Sequence, residues 1–260
     1  ATGGIHSIEG SSTIGTDATL TAPSTLEPTA FNNRYEHYWM QMVYTQAELN
    51  AAGIEAGIIS GIKFEITTIG SNTSVSDYKV RIGSTTANVL TSFVTTGLTE
   101  VYSVATYSHN VGINSIVFNT PYSWDGVSNI ILDVRSTGAD SFSNSATYYT
   151  ATTDNKTATA ITANTFTSSD AFAASSPAPT FSLKRLNTTF DWTSNVLTDI
   201  TWSPITGLYT DAAATVAYAG GNAATVYVKS SIAGEQTYTA TATVPTSGCT
   251  AMATTTITTT

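Results

Sequence analysis

Residues 77–82 read DYKVRI, and their side chains alternate strictly between polar and apolar. Because successive side chains of a β-strand point to opposite faces, the three apolar side chains share one face of a strand. Residues 58–68 (IISGIKFEITT) and 238–244 (YTATATV) show the same alternation further along the chain. A period of two predicts strands of antiparallel sheets, with one face in a core and the other in water.

The amino-acid composition favours β-structure along the whole chain. Of the 260 residues, 51 are Thr and 29 are Ser, whereas only 10% are charged and the mean hydropathy is +0.04. Thr is β-branched and favours strands, and the strong helix formers Leu, Lys, Glu, Arg and Gln are scarce. This composition excludes an all-α protein, a coiled coil and a disordered polyampholyte. A transmembrane helix is also excluded, because no apolar run reaches about 18 residues.

The distribution of charge limits the classes of partner. The chain has 9 Lys and Arg against 18 Asp and Glu, and basic residues adjoin only at Lys184 and Arg185. Binding to a nucleic-acid backbone or to an anionic membrane needs a basic stripe, which this sequence lacks. We therefore expect no nucleic-acid partner and no membrane insertion. The acidic, hydroxyl-rich surface suits either solubility outside cells or contact with neutral sugars or cations.

Two β domains are predicted, over residues 1–192 and 193–260. In the first, about ten strands separated by turns rich in Gly, Asn, Ser and Asp predict an antiparallel, jelly-roll-like β-sandwich. In the second, four short strands predict a small immunoglobulin-like β-sandwich, with Trp202 as the anchor of its core. A disulfide within the chain is impossible because it has a single cysteine.

Two local predictions concern the first domain. Thr45 stands three residues before Glu48, which is the spacing of a capping box, and Gly53 supplies a stop signal. This pattern predicts one short helix over residues 45–52. The apolar stretch 89–93 (VLTSF) is predicted to be a strand.

Catalytic motifs are absent from the sequence. The three histidines, His6, His37 and His109, each stand alone, outside the spacing of metal ligands. No GxSxG elbow, GxGxxG loop or P-loop occurs. Paired carboxylates for glycoside hydrolysis come from separate strands, so sequence reasoning leaves that chemistry open. We predict that the chain is not an enzyme and needs no cofactor, calcium excepted.

Calcium is the ion that the acidic turns of the chain would suit. It prefers oxygen ligands, which Asp and Asn side chains and backbone carbonyls in turns provide. The candidate ligands are Asp125, Asn129, Asp140 and Asp154. The same residues also favour turns without any metal, and both interpretations stay open at this point.

A glycan-binding surface is predicted from aromatic residues, because a sugar offers an apolar face on which a ring stacks. The candidates are Tyr35, Tyr38, Tyr122 and Trp124. Tyr148 and Tyr149 form a further pair, of which one ring should face water, since adjacent strand residues point to opposite faces. The alternative for each Trp ring is packing in a core.

Several stretches resemble modules of large secreted proteins of the Bacteroidetes. Residues 38–53 (YWMQMVYTQAELNAAG), 61–64 (GIKF) and 121–131 (PYSWDGVSNII) look like the jelly-roll module of those proteins. Residues 200–209 (ITWSPITGLY) and 236–250 (QTYTATATVPTSGCT) are similar to their immunoglobulin-like or PKD-like repeats. The two modules to which these stretches belong would together cover most of the chain.

The resemblance implies export by the type IX secretion system and a place at the bacterial cell surface or outside the cell. It implies a non-catalytic structural or adhesive module, repeated or assembled into a filament, whose partners are copies of itself or neighbouring repeats. The Thr-rich strand over 254–260 and the hydroxyl-rich segment 7–29 suit such repetition and lead us to expect a piece of a longer protein. The alternative function is a carbohydrate-binding module that uses aromatic residues of the jelly-roll domain on surface or extracellular glycans.

Overall fold

The computed structural model describes residues 8–22, 27–137, 142–162, 178–194, 200–229, 233–243 and 250–259. Over these ranges the chain is all-β, with antiparallel sheets and one short helix, which confirms the predicted class. No helix in these ranges is long and apolar enough to cross a membrane. The chain divides into two compact units, a larger one of residues 10–193 and a smaller one that contains the described residues from Ser194 onward.

The secondary structure of the described residues is almost entirely strand. Its elements are β1 (Ile8–Ile14), β2 (Thr19–Leu20), β3 (His37–Tyr44), α1 (Gln46–Ala51), β4 (Gly57–Thr68), β5 (Ser74–Thr85), β6 (Thr99–Ser108), β7 (Gly112–Trp124), β8 (Asn129–Thr137), β9 (Ala146–Ala151), β10 (Thr157–Thr162), β11 (Thr180–Ser182), β12 (Lys184–Leu186), β13 (Thr188–Ser194), β14 (Ile200–Ser203), β15 (Leu208–Tyr209), β16 (Tyr227–Val228), β17 (Gly234–Thr243) and β18 (Thr250–Thr259).

Two sheets form the larger unit. A seven-stranded sheet has the order β1-β13-β4-β9-β12, with β2 beside β9 and β7 beside β4, and a six-stranded sheet has the order β11-β10-β3-β8-β5-β6. The sheets meet through their buried faces. Tyr44 of β3 packs edge-on against Phe190 of β13, with ring centroids 5.0 Å apart, and its hydroxyl lies 2.7 Å from Thr188 Oγ1.

The alternation of residues 77–82 is realised in β5. Tyr78, Val80 and Ile82 are fully buried, whereas Lys79 and Arg81 lie on the opposite face of the strand. Burying an apolar side chain of this size stabilises the folded state by about 1.5–3 kcal/mol. The pattern that predicted a strand therefore also supplies the contacts that hold the strand in the core.

The helix α1 begins and ends where the sequence predicts. Thr45 is its N-cap, and the capping box is complete, because Glu48 N donates to Thr45 Oγ1 and Thr45 N donates to Glu48 Oε2. Leu49 is fully buried and fixes the helix to the core. Gly53 follows with φ of +81°, a conformation that favours glycine and ends the helix.

The carboxylate of Glu48 also ties α1 to β12. Arg185 Nη2 donates to Glu48 Oε1 at 2.8 Å, and Arg185 Nη1 donates to the Val43 carbonyl at 2.9 Å. Partial burial alone would raise the pKa of Glu48, but hydrogen bonds from Arg185 and Thr45 outweigh it and lower the pKa to about 2.

A long connection covers the outer face of the six-stranded sheet. Residues 86–98, between β5 and β6, contain no strand, so the prediction of a strand over 89–93 is wrong. The physical reason is that the apolar side chains of Leu90 and Phe93 pack against Trp39 and its neighbours on the sheet, without any pairing of their backbone in the sheet. Phe93 stacks on Trp39 with ring centroids 3.8 Å apart. An apolar run therefore marks burial here without marking a strand.

A buried carboxylate organises this outer face. Asp133 is fully buried, and its Oδ2 accepts hydrogen bonds from Trp39 Nε1 at 2.5 Å and from Gln41 Nε2 at 2.7 Å. Its Oδ1 accepts from Arg135 Nε at 3.1 Å and lies 3.7 Å from Arg81 Nη1. The Arg135 guanidinium lies over the Trp39 ring, 4.1 Å from its centroid. The charge of Asp133 is therefore both paired and hydrogen-bonded, as a buried charge requires.

The smaller unit has its own core around Trp202, as predicted. The Trp202 side chain is buried with Leu208, Tyr218 and Tyr238, and its indole N–H donates to the Ala223 carbonyl at 2.8 Å. A three-stranded sheet of order β14-β17-β18 and a two-stranded sheet of β15 and β16 surround this core.

Candidate functional site

Two of the four aromatic residues predicted to bind glycans are buried. Trp124 is only 2% exposed, and its indole N–H donates to the Ser128 carbonyl at 2.9 Å. Tyr38 is 1% exposed, its hydroxyl accepts from Thr29 N, and burial raises its pKa well above the usual range. Both residues lie on the inward faces of their strands, so neither ring offers a face on which a sugar could stack. The prediction that they bind glycans is therefore corrected.

The other two aromatic candidates are partly exposed but do not form one surface. The Tyr122 hydroxyl lies 2.8 Å from Ser84 Oγ, between β7 and β5. Tyr35 accepts a hydrogen bond from Arg34 Nε, whose guanidinium also lies over the Tyr35 ring. Within the part of the chain that is described, no contact joins Tyr35 to Tyr122.

The candidate calcium ligand Asp125 caps its own turn. Its Oδ1 accepts from Val127 N and Ser128 N, and its Oδ2 accepts from Ser128 Oγ at 2.5 Å. The Ser128 hydroxyl contributes most to lowering the pKa of Asp125, and the backbone N–H groups lower it further. This is the turn interpretation of Asp125, which needs no metal.

Asn129 has a similar structural role. Its Oδ1 accepts from Gln46 N at the start of α1, and its Nδ2 donates to the Ala87 carbonyl and to Asn88 Oδ1. The side chain thus joins the helix to the connection over the six-stranded sheet, and its oxygen is already in use.

The remaining calcium candidates are not assembled into a cage. Asp154 Oδ2 accepts from Thr153 Oγ1, and Asp140 lies outside the described residues. Across the described ranges, no group of three or more His, Cys, Asp and Glu side chains is placed to hold a metal ion. Calcium binding stays a prediction.

The structure brings together one serine and one histidine that the sequence keeps 36 residues apart. His109 Nε2 lies 3.0 Å from Ser145 Oγ, which also accepts from Gly70 N. Both side chains are fully buried, and the His109 ring stacks on Phe31. Burial lowers the pKa of His109 to about 4. This pair therefore fastens loops together, and its burial leaves no space for a substrate.

A cleft of about 300 Å³ lies on the outer face of the seven-stranded sheet. We call it the outer cleft, and it is lined by Thr13, Gly15, Thr16, Asp17, Ala18, Lys63, Glu65, Ile113, Tyr148, Asn187 and Thr189. These residues come from β1 and the turn after it, β4, β7, β9 and the start of β13, except Asn187, which lies between β12 and β13. The outer cleft is therefore built on neighbouring strands of one sheet, with one turn added.

The floor of the outer cleft is polar. Thr13 Oγ1 lies 2.7 Å from Thr189 Oγ1. Lys63 Nζ lies 2.6 Å from Asp191 Oδ1, so its charge is already matched. Glu65 is exposed, and no hydrogen bond or ion pair with another described residue occupies its carboxylate.

One wall of the outer cleft is a turn that is held by side chains. Thr150 Oγ1 accepts from Thr16 N at 3.0 Å and from Asp17 N at 3.2 Å, and it donates to Asn187 Oδ1 at 2.8 Å. Asn187 Nδ2 in turn donates to the Asp17 carbonyl at 2.9 Å. Gly15 is required in this turn because its φ is +100° and a Cβ there would lie 2.4 Å from Asn187 Oδ1.

Tyr148 lines the outer cleft from β9 and is partly exposed. Its neighbour Tyr149 is covered by Lys184, whose Nζ lies 4.9 Å from the Tyr149 ring centroid. The sequence predicted that one ring of the pair Tyr148 and Tyr149 faces water, and the Tyr148 ring is the one that lies in the outer cleft. Sequence reasoning missed the rest of the cleft, although strand alternation does place Lys63 and Glu65 on one face.

A second candidate surface is the free edge of β18 in the smaller unit. All ten residues of β18 pair with β17 in an unbroken register, from Thr250 opposite Thr243 to Thr259 opposite Gly234. No described strand pairs with the other edge of β18, which ends the sheet order β14-β17-β18. Side chains on one face of β18 are exposed, Met252 among them at 65%.

Comparisons of the chain with protein-family models, with curated proteins and with solved structures found no match. A function is therefore inferred from two features of the structure, the chemistry of the outer cleft and the free edge of β18.

Proposed function

We propose that the chain is a non-catalytic structural or adhesive module of a bacterial surface protein, acting outside the cell. In this proposal residues 1–192 form a jelly-roll-like sandwich and residues 193–260 an immunoglobulin-like or PKD-like sandwich, as in the secreted proteins that the sequence resembles. Type IX secretion would deliver such a module. Copies of the chain, or neighbouring repeats, associate by adding a strand to the free edge of β18.

The observation that carries this proposal is the lack of protection along β18. Edge strands are normally blunted by lysine, proline, bulges or short length, because an open edge pairs with other chains. The strand Thr250–Thr259 (TAMATTTITT) is ten residues long, with no charge, no proline and no bulge in its pairing with β17. Such an edge offers backbone N–H and C=O groups to a second strand, which is the mode of β-strand addition.

The chemistry of β18 also favours a second copy of the same chain as the occupant. Strand pairing brings side chains within about 5 Å of their partners, where like charges repel. The Thr254, Thr256 and Thr258 side chains are exposed and uncharged, so a second β18 meets hydroxyl groups and no like charge. Each ladder hydrogen bond would contribute about 0.5–1.5 kcal/mol to the association.

Substitution of exposed β18 residues by lysine tests this proposal. Thr254→Lys with Thr258→Lys adds two charges along the free edge, and we expect the full chain to change from filaments or oligomers to monomers. Negative-stain microscopy with sedimentation velocity measures the change. The control is Thr237→Lys, because Thr237 is also exposed but lies on β17, the central strand of the sheet. Dispersed monomers of the unsubstituted chain at high concentration would contradict the proposal.

A carbohydrate-binding module is the second candidate function. Its ligands would be surface or extracellular glycans, and its predicted aromatic surface is reduced to Tyr35 and Tyr122 by the burial of Tyr38 and Trp124. The outer cleft is the observation that favours this function, since it places the partly exposed ring of Tyr148 in the same cleft as the exposed carboxylate of Glu65.

A further inference from the structure

We infer that the outer cleft is a binding site for a neutral saccharide, with Tyr148 as the stacking ring and Glu65 as a hydrogen-bond acceptor. The cleft lies in the larger unit, whereas β18 lies in the smaller one, so this site does not depend on strand addition. It rests on the second candidate function, a carbohydrate-binding module, and names the residues of the outer cleft that would hold the ligand.

The charges of the cleft disfavour an anionic ligand. Its lining includes the carboxylates of Asp17 and Glu65 and a single cation, Lys63. The Lys63 ammonium group lies 2.6 Å from Asp191 Oδ1 and 3.1 Å from Ser11 Oγ, so its charge is matched by Asp191 and two of its three N–H groups are in use. An uncharged ligand avoids repulsion from the two carboxylates.

The polar groups of the cleft suit a ligand with several hydroxyls. The Glu65 carboxylate accepts hydrogen bonds only, and each ligand hydroxyl can donate one to it. The hydroxyls of Thr13 and Thr189 can both donate and accept at the floor of the cleft. Hydrogen bonds to a charged acceptor contribute more than neutral ones, which makes Glu65 the strongest polar anchor.

The apolar groups of the cleft suit the C–H face of a sugar ring. Tyr148 offers a partly exposed ring that makes no stacking contact with another described residue. Ile113 pairs with Glu65 across β7 and β4 and is 61% exposed, so it places a further apolar surface beside the carboxylate. A few polar groups set against an aromatic ring is the usual composition of a small-molecule site.

The cleft is also ordered before a ligand arrives. The turn that forms its wall is fixed by the hydrogen bonds of Thr150 and Asn187, and its floor lies on paired strands. Preorganisation lowers the entropy cost of binding. A volume of about 300 Å³ is at the lower limit of ligand pockets, which suits a short section of a glycan chain.

Titration calorimetry of the full chain with a panel of oligosaccharides tests the inference. The neutral probes are hexasaccharides of β-1,4-glucose, mannose and xylose, and the anionic probes are oligogalacturonate and a heparin hexasaccharide. We expect at least one neutral probe to bind and the anionic probes not to bind. Tyr148→Ala and Glu65→Gln should each weaken that binding by about tenfold.

Two matched variants control for indirect effects. Tyr149→Ala removes the same side chain from the adjacent position outside the cleft, and Tyr122→Ala removes a partly exposed ring that the sequence predicted to bind glycans. Both variants should bind as the unsubstituted chain does. Glu65 is exposed on the outer face, so Glu65→Gln keeps the test valid even if Tyr148→Ala does not fold.

Three results would overturn the inference. The first is that no neutral probe binds at about 1 mM, and the second is that the chain prefers an anionic probe. The third is that a neutral probe binds equally well to the unsubstituted chain, to Tyr148→Ala and to Glu65→Gln. If only Tyr122→Ala lost binding, the ligand would bind at Tyr122 and not in the outer cleft. Sedimentation velocity of the Tyr148→Ala chain should be unaltered, which separates failure of this site from failure of strand addition.

Discussion

At the scale of single residues, Asp133 holds the outer face of the six-stranded sheet together. It combines the side chains of Trp39, Gln41 and Arg135 around one buried charge, and Gln41 continues the network by bonding both the N–H and the carbonyl of Val94. The network thus joins β3 and β8 to the connection over residues 86–98. Removing its centre should affect all of these contacts together.

Asp133→Ala should lower the free energy of unfolding by about 3–5 kcal/mol, because it removes the buried carboxylate that accepts hydrogen bonds from the Arg135 guanidinium and the Trp39 N–H. Urea denaturation monitored by tryptophan fluorescence measures the loss. Asp154→Ala is the control, since this exposed residue should change stability by less than about 0.5 kcal/mol. A loss of similar size in both variants would contradict the role of Asp133.

His109 should make stability depend on pH. Its pKa is lowered from 6.5 to about 4 by burial, so the unfolded chain binds this proton more readily than the folded chain. Stability is therefore complete above pH 6.5 and falls as the pH decreases toward 4, with a loss of about 2 kcal/mol at pH 5. Below pH 4.5 the lowered pKa of Glu48 adds a further loss of the same sign.

The measurement is a pH series of urea denaturation, together with NMR titration of the His109 ring. We expect the NMR titration of His109 to have a midpoint near pH 4. In His109→Gln, the free energy of unfolding should differ less between pH 7 and pH 5 than it does in the unsubstituted chain. An NMR midpoint near 6.5, or an unchanged pH dependence in the variant, would contradict the assignment.

At the scale of elements, α1 shows how a local signal can be sufficient. The helix depends on a capping box between Thr45 and Glu48, both of which the sequence displays at their required spacing. Thr45→Ala should cost about 1 kcal/mol of stability, whereas Thr45→Ser should cost much less because the hydroxyl remains. Thermal unfolding measures both, and equal losses would argue against the capping hydrogen bond.

Other elements depend on partners that are distant in sequence, and there the sequence predicted less. The alternation in β4 and β5 predicts strands because apolar side chains at every second position lie on the one face of the strand that is buried. The stretch 89–93 is apolar for a different reason, since it packs on Trp39 from outside the sheet. The sequence left the burial of Trp124 open and did not predict that of Tyr38, because an aromatic residue can have the same local sequence whether its ring faces water or the core.

At the scale of the whole molecule, the order of strands decides where a site lies. Thr13, Glu65 and Thr189 are far apart in sequence, and only the sheet order β1-β13-β4 brings them together in the outer cleft. No local pattern specifies that order. The sequence gives a stronger signal for the free edge of β18, because an uncharged strand of Thr and Ala is unusual at a sheet edge.

The most direct test of strand addition is amide hydrogen exchange of the full chain at low and at high concentration. In a monomer the outward amides of an edge strand exchange rapidly, whereas a second strand would protect them. We predict added protection at high concentration within residues 250–259 and unchanged protection in β4 and β5. Equal exchange of residues 250–259 at both concentrations, in a sample that remains monomeric, would contradict the account.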